Sequence, residues 1–498
     1  MTKINKEEIV SSVPQRGFFG QPKGLFTSFF TEFWERFSYY GMRAILLFYM
    51  YGEVVNGGLG IADSTAKSIM AVYGSLVYMS GIIGGWIADR LLGTQQTVFY
   101  GGVLIMFGHI ALALPFGKTA LFVSMFLIIM GTGLLKPNVS NIVGDMYRAD
   151  DIRRDSGFSI FYMGINAGAL IAPFIVGTLG QKYNYHLGFG VAAVGMFIGL
   201  IVFMITRKKY LGLAGTYVAN PLEPHEKKGV FAKFGIGAAV IVVLGAIGIA
   251  TGILTINRFT YLVSFLAIII PTIYFIVMYR SKKITNDERS RLLAYIPLFI
   301  AAMVFWAIQE QGSIVLADYA NKRTELNFMG IDIASSWFQS LDPLFIIILA
   351  PVFAGMWMKL GKRQPTTTRK FAFGLIFGGL SFVVMVIPAI IHSGGNTLAS
   401  PLWLVLSFFI VVLGELCLSP VGLSATTKLA PAAFSAQTMS LWFLSNASAQ
   451  GINAQIVKLF KPETEIAYFS IIGGIAVLLG VILFMVAPKI QRFMKGVR

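Results

Sequence analysis

Apolar runs of about 20 residues recur along the whole chain, separated by short polar segments. Each run is long enough to cross about 30 Å of hydrocarbon as a helix. The pattern predicts fourteen spans, near 24–51, 63–90, 96–115, 119–143, 155–180, 187–206, 231–252, 259–279, 291–318, 334–359, 369–391, 400–426, 436–458 and 468–488. The seventh and eighth differ from the rest: they are rich in Val, Ile and Ala and nearly free of internal polar groups. Such a pair reads as a peripheral hairpin joining two six-helix halves. The expected organisation is an N-terminal bundle over 1–210, a linker with the hairpin over 211–284, and a C-terminal bundle over 285–498. The fold class is an all-α membrane protein with its cavity between the halves. The GMWMKLGKR stretch from Gly355 loosely echoes the earlier GGWIADRLLG, each after the second span of its half.

The polar segments set the topology. Alternate loops are basic, with Arg148, Arg153 and Arg154 in one, Arg207, Lys208 and Lys209 in another, then Lys282, Lys283 and Arg289, then Lys359, Arg363 and Arg369. Intervening loops such as 52–62 and 392–399 are sparser, so both termini are expected in the cytoplasm. Composition agrees: 56% of residues are hydrophobic and 13% charged, too few polar groups to cover a soluble protein of this size. The net charge of +17 sits in these short loops, which marks orientation in the membrane rather than a nucleic-acid footprint. The polar start, with Lys3, Lys6, Arg16 and Lys23, reads as no secretory leader. Cys417 is the single cysteine, so no internal disulfide forms.

The chemistry lies in charges far from any loop. The first span carries Glu32, Glu35, Arg36, Tyr39, Tyr40 and Arg43, which at about 100° per residue share one helix face. Each charge at bilayer depth costs at least about 2.5–3.5 kcal/mol, so that face must line a wet cavity or meet partners. Lys136, Glu310, Asp342 and Glu415 lie inside other spans. Counting from span ends puts Arg43 and Glu310 at one level in the outer half, and Lys136 and Glu415 in the inner half. Two ion pairs between the halves are expected, able to close the two faces alternately. Five intramembrane acids (Glu32, Glu35, Glu310, Asp342, Glu415) face three bases (Arg36, Arg43, Lys136). A surplus of carboxylates in a low dielectric takes up protons, so the proton is the expected coupling ion and no cofactor or metal is called for. Pro137 and Pro343 stand beside charged positions and are expected to interrupt helix bonding there. His109 reads as a packed residue.

The run Glu32-Glu35-Arg36-Phe37-Tyr39-Tyr40, of the form ExxERFxYY, resembles the proton-dependent oligopeptide transporter family of the major facilitator superfamily. GWIADRLLG (85–93), GTGLLKPN (131–138), FYMGINAG (161–168), FWAIQEQG (305–312), GELCLSPVGLS (414–424) and QTMSLWFLSNA (437–447) agree with it in order. The resemblance covers essentially the whole chain, including the extra hairpin of bacterial members. It implies a proton-coupled symporter that imports di- and tripeptides by alternating access across the cell (inner) membrane, as a monomer in the bilayer. Arg43 and Lys136 would hold the peptide carboxylate, and Glu415 with Asn166 the ammonium end. Tyr40, Tyr78, Trp306, Trp442 and Ser445 would form side-chain pockets. Glu32, Glu35, Arg36 and Glu310 would couple the proton, and Asp89 and Arg90 would lock helices at the cytoplasmic edge.

The chain departs from the family at Asp342-Pro343, where members commonly carry Asn. The acid either binds the peptide ammonium more strongly or adds a titrating group. No His lies between residues 62 and 91, so carboxylates must serve where animal relatives use histidine. Residues 392–399 form a short loop where animal members insert a large domain. Competing readings are a related carrier for another small anion such as nitrate, a drug–proton antiporter, a channel, and an intramembrane enzyme. For the enzyme, the chain lacks a HExxH helix, a GxSG motif or a Cys/His pair.

Overall fold

A computed structural model describes residues 5–148, 151, 153–218, 221–393 and 397–496. A short helix α1 (Lys6–Ser12) precedes α2 (Gly24–Tyr51), α3 (Asp63–Ile87), α4 (Thr94–Ala113), α5 (Gly117–Asp145), α6 (Arg154–Ala172), α7 (Thr178–Lys182) and α8 (Tyr185–Thr206). Then follow α9 (Pro224–Ala250), α10 (Ile256–Arg280), α11 (Asn286–Gln309), α12 (Val315–Arg323), α13 (Leu341–Leu360), α14 (Thr367–Ile391), α15 (Leu402–Leu429), α16 (Ser435–Ile456) and α17 (Glu465–Phe493). Between α12 and α13, β1 (Asn327–Phe328) pairs antiparallel with β2 (Ile331–Asp332), Asn327 opposite Asp332.

Helix occupies every one of the fourteen expected spans. Among the described residues, twelve segments are long and apolar enough to cross a membrane. Those outside that set are α2, which carries Glu32, Glu35, Arg36 and Arg43, and α16, rich in Ser, Asn and Gln. The polar content that lowers their hydropathy is the content a transport site needs.

Several spans depart from a single α-helix, the ninth and the fifth among them. The expected span 291–318 stops at Gln309, tightens into a 3₁₀ turn over Glu310–Ser313, and resumes as α12 after Ile314. Gly312 in that turn lacks the side chain that would meet the ring of Phe408. The fifth span loosens into a π-helical turn at Pro173–Gly177 before α7, because a proline nitrogen has no proton for the helix ladder. Pro343 proves different from the expectation. It lies in the first turn of α13, where helical N–H groups have no intrahelical partner anyway, and the interior proline of that helix is Pro351.

The chain divides into two compact units, each assembled from three stretches of sequence. The first comprises Met1–Glu35, Ser80–Ile165 and Ala193–Val263. Val98, Ile105, Leu135, Val139, Met196 and Phe203 are buried together in its core. Its helices approach through small residues: a Cβ on Gly101 would stand 2.7 Å from the carbonyl oxygen of Gly131. Ser80 Oγ donates to Ile129 O at 2.9 Å, and Asn138 Nδ2 to Gly84 O at 3.2 Å. Lipid offers helices no hydrophobic drive to associate, so close packing and such bonds carry the contact. The N-terminal segment straps the loop ends of these helices. Lys6 pairs with Asp145 at 3.2 Å, Tyr147 OH donates to Gln21, and Arg153 grips both Gln15 and Asp151. That guanidinium holds the Asp151 carboxyl below its ordinary range.

The second unit comprises Arg36–Met79, Asn166–Ala192 and Ser264–Arg498. Here α14 meets α15 and α17 at glycines, Gly379 against Gly473 and Gly374 against Gly414. The hairpin helix α10 is fastened to α16 by Ser264 Oγ to Gly451 O at 2.6 Å and by Ser448 Oγ to Ala267 O. Its companion α9 exposes Val240, Ile241, Val242, Val243 and Leu244 in succession. Five consecutive residues cover the whole helix circumference, so this stretch of α9 is apolar on every side, as a lipid-bathed helix must be.

Replacing Gly101 by Ala is expected to lower stability by about 1–3 kcal/mol through overpacking. Gly235→Ala on α9, with open space around it, should be neutral or stabilising by about 0.5–1 kcal/mol. Thermal unfolding of the purified protein in detergent checks both.

Candidate functional site

The break after α11 puts Glu310 at a helix end, where its side chain collects donors from three other helices. Arg43 Nη2 of α2 lies 2.6 Å from Oε2, and Gln450 Nε2 of α16 donates to the same oxygen at 2.7 Å. Asn446 Nδ2 donates to Oε1 at 3.1 Å and Tyr78 OH of α3 at 3.3 Å. Both charged side chains are buried, at 7% and 8% exposure. A carboxylate taken out of water survives only with its lone pairs filled, and four donors fill these. Gly74 on α3 leaves the room in which the Gln450 amide sits.

Around this cluster stand aromatic groups. The Arg36 guanidinium lies 5.6 Å from the Tyr39 ring and 5.9 Å from the Tyr40 ring, a cation–π arrangement that suits arginine. Trp306 and Trp442 meet edge to face at 6.5 Å, and Trp442 also meets Phe371. Gly422 lies directly under the Trp442 ring, with no space for a Cβ. Ser445 is fully buried and its hydroxyl bonds the Trp442 carbonyl at 2.6 Å. Asn166, on α6, is buried in the same unit.

Next to Glu310 in the chain, Gln309 spreads its amide between two acids. Nε2 donates to Asp342 Oδ1 at 3.1 Å and to Glu415 Oε2 at 3.0 Å. Asp342 occupies the first turn of α13, where unbonded N–H groups favour an anion. Glu415 is buried on α15, which packs along α13.

A second ionic cluster joins α3 to α12. Lys67, only 1% exposed, lies 2.6 Å from both Asp63 and Asp318. Lys322 lies 2.6 Å from Asp63 and 2.8 Å from Asp318. The four charges alternate in sign around a ring, and both Asp63–Lys67 and Asp318–Lys322 sit four residues apart on one helix face. Beside it, Lys182 of α7 bonds Asp332 at 2.6 Å and Gln181 bonds Ser335 at 2.7 Å. Within this unit, residues from the first 200 positions are thus tied to residues beyond 300.

The remaining expected residues lie as follows. Glu32 and Glu35 are buried on the Gly24–Glu35 part of α2, and half-buried Lys136 precedes Pro137 in α5, all in the first unit. Glu415 belongs to the second. Arg90 sits in the π-helical turn that ends α3 and pairs with Glu226 of α9 at 3.2 Å, while Asp89 is exposed. His109 is fully buried in α4.

Sequence reading did not single out Gln309, Asn446, Gln450 or the Lys67 ring. Asn446 and Gln450 fall four apart in a membrane span, a polar stripe that could have exposed them. Lys67 and Asp318 stand near span ends, where charges are commonplace and carry no signal by themselves.

The family profile described as "POT family" matches residues 95–474. The uncharacterized transporter YclF of Bacillus subtilis (strain 168) is 65% identical over all of both chains. The di-/tripeptide transporter of Lactococcus lactis subsp. cremoris is 48% identical, again over the whole of each chain. A crystal structure of the peptide transporter POT in complex with sulfate is similar at a TM-score of 0.97, with 69% identity, over 99% of this chain and 100% of that one.

Replacing Lys67 by Met should cost about 1–3 kcal/mol, because buried Asp318 is left to share half-exposed Lys322 with Asp63. Removing Asp318 as well, in Lys67→Met with Asp318→Leu, should recover most of the loss. A double-mutant cycle by thermal unfolding reads the coupling.

Proposed function

This chain belongs to the POT family, the proton-dependent oligopeptide transporters, and on that premise we propose that it imports di- and tripeptides together with protons. Members of the family are transporters and not enzymes, and the chain is membrane-embedded. In this reading both termini lie in the cytoplasm, and the coupling ion is the proton, with no cofactor.

The observation that carries the reading is the buried Arg43–Glu310 pair with its three accompanying donors. A proton arriving on Glu310 removes the negative charge that holds Arg43. The guanidinium is then free to take a carboxylate of the substrate, with the fork geometry that makes arginine suited to the task. Lys136 supplies a second cation for that carboxylate, and Glu415 with Asn166 holds the ammonium end. Trp306, Trp442, Tyr40 and Tyr78 give adaptable walls for variable side chains, which a carrier of many peptides needs. Glu32, Glu35 and Arg36 serve the proton step. Loss of the Arg43–Glu310 bond also loosens one tie between the sequence halves, which couples loading to opening. One charge moved through 100 mV supplies about 2.3 kcal/mol, or roughly fifty-fold accumulation.

Proteoliposomes with an imposed inward proton gradient test this directly. Radiolabelled dialanine should accumulate, and a protonophore should abolish the accumulation. Glu310→Gln should lose gradient-driven uptake while retaining exchange of labelled for unlabelled peptide. Uptake of nitrate with no response to dialanine would instead favour the anion carrier.

A further inference from the structure

The bridge at Gln309 places two carboxylates at one point with a single neutral group between them. The two oxygens each lie about 3 Å from one nitrogen, so they are no more than about 6 Å apart. Glu310, next in the chain, already has Arg43. Within this unit no lysine or arginine pairs with Asp342 or Glu415 among the described residues, and the amide of Gln309 is their shared partner. An amide satisfies hydrogen bonds but brings no charge. The place therefore has room in its electrostatics for two positive charges, whereas the α-ammonium of an ordinary peptide brings one.

We propose that Asp342 and Glu415, held together by Gln309, form a two-carboxylate receptor that selects peptides whose first residue carries a second ammonium group. The inference rests on the peptide reading above and names the substrate class that this end of the site prefers. Ornithine or lysine in the first position separates its two nitrogens by about 5–7 Å, counted along staggered bonds of about 1.5 Å. That span matches two acids no more than about 6 Å apart. One ammonium meets Glu415 and the other Asp342, each in a charge-assisted bond. A lysine in the second position carries the same total charge yet holds its side-chain ammonium on the far side of a peptide bond. Asparagine at position 342 would keep the bridge to Gln309 and remove the second charge.

Competition against labelled dialanine in proteoliposomes is the first test, using Lys-Ala, Orn-Ala, Ala-Lys and Ala-Ala. In the natural sequence, Lys-Ala and Orn-Ala should inhibit at concentrations at least fivefold below those of Ala-Lys and Ala-Ala. Asp342→Asn should erase that advantage, bringing the ratio of Lys-Ala to Ala-Ala inhibition near one whatever happens to the absolute values. An unchanged ratio in Asp342→Asn, or an equal preference for Ala-Lys, would overturn the proposal. The second test needs no transport: calorimetric binding of lysinamide and alaninamide to the purified protein and to Asp342→Asn. Stronger binding of lysinamide that depends on Asp342 would support the receptor even if dialanine uptake failed. That combination would reject the peptide reading and keep this one. Equal binding of the two amides would reject the receptor alone.

Discussion

The constraint on which this structure turns is that a charge inside a bilayer must be answered. Arg43 and Glu310 meet at 2.6 Å where both are buried, and breaking such a pair by removing one partner costs about 3–5 kcal/mol. The protein adds a tyrosine, an asparagine and a glutamine to the carboxylate, so the acid is bonded on both oxygens. That degree of satisfaction makes the pair stable, and it also defines what a single proton can undo. A switch of this kind needs no large energy input, because neutralising one partner removes the reason for the other to stay.

Much of the local architecture follows from giving Glu310 that position. A continuous helix from 291 to 318 would commit its backbone to one direction; the 3₁₀ turn over Glu310–Ser313 instead ends α11 beneath the acid. Gly74 leaves space for Gln450, and α16, the helix that delivers Asn446 and Gln450, is among the least apolar of the long helices. The cost of polar groups at that depth is offset locally, by bonds among themselves. Elsewhere the chain does the opposite: α9 is apolar and exposed all round over 240–244, while α10 reaches α16 through serine hydroxyls and small residues.

Three ionic or polar nodes in the second unit differ in kind. The Lys67–Asp318–Lys322–Asp63 ring is balanced, two charges of each sign. The Arg43–Glu310 pair is balanced with extra donors. The Asp342–Gln309–Glu415 bridge is not balanced: two acids share one neutral amide, the arrangement that the proposed receptor for ammonium groups requires. Balance marks contacts that hold helices; imbalance marks the place that waits for a cation.

By itself the sequence determined the placement of the long helices, the basic alternation of loops, and the family, since these depend on hydropathy and on ordered motifs along the chain. It also made Arg43, Glu310 and Glu415 conspicuous, because charges in apolar runs have no innocent explanation. Tertiary structure alone decided which polar residues answer them. Gln309, Asn446 and Gln450 are uncharged, and even the stripe that Asn446 and Gln450 make does not say whether they face a neighbouring backbone or an acid. The ring at Lys67 was hidden for a related reason: near a span end a charge can reach water, and only the tertiary structure buries Lys67 and Asp318 while Asp63 and Lys322 stay partly exposed.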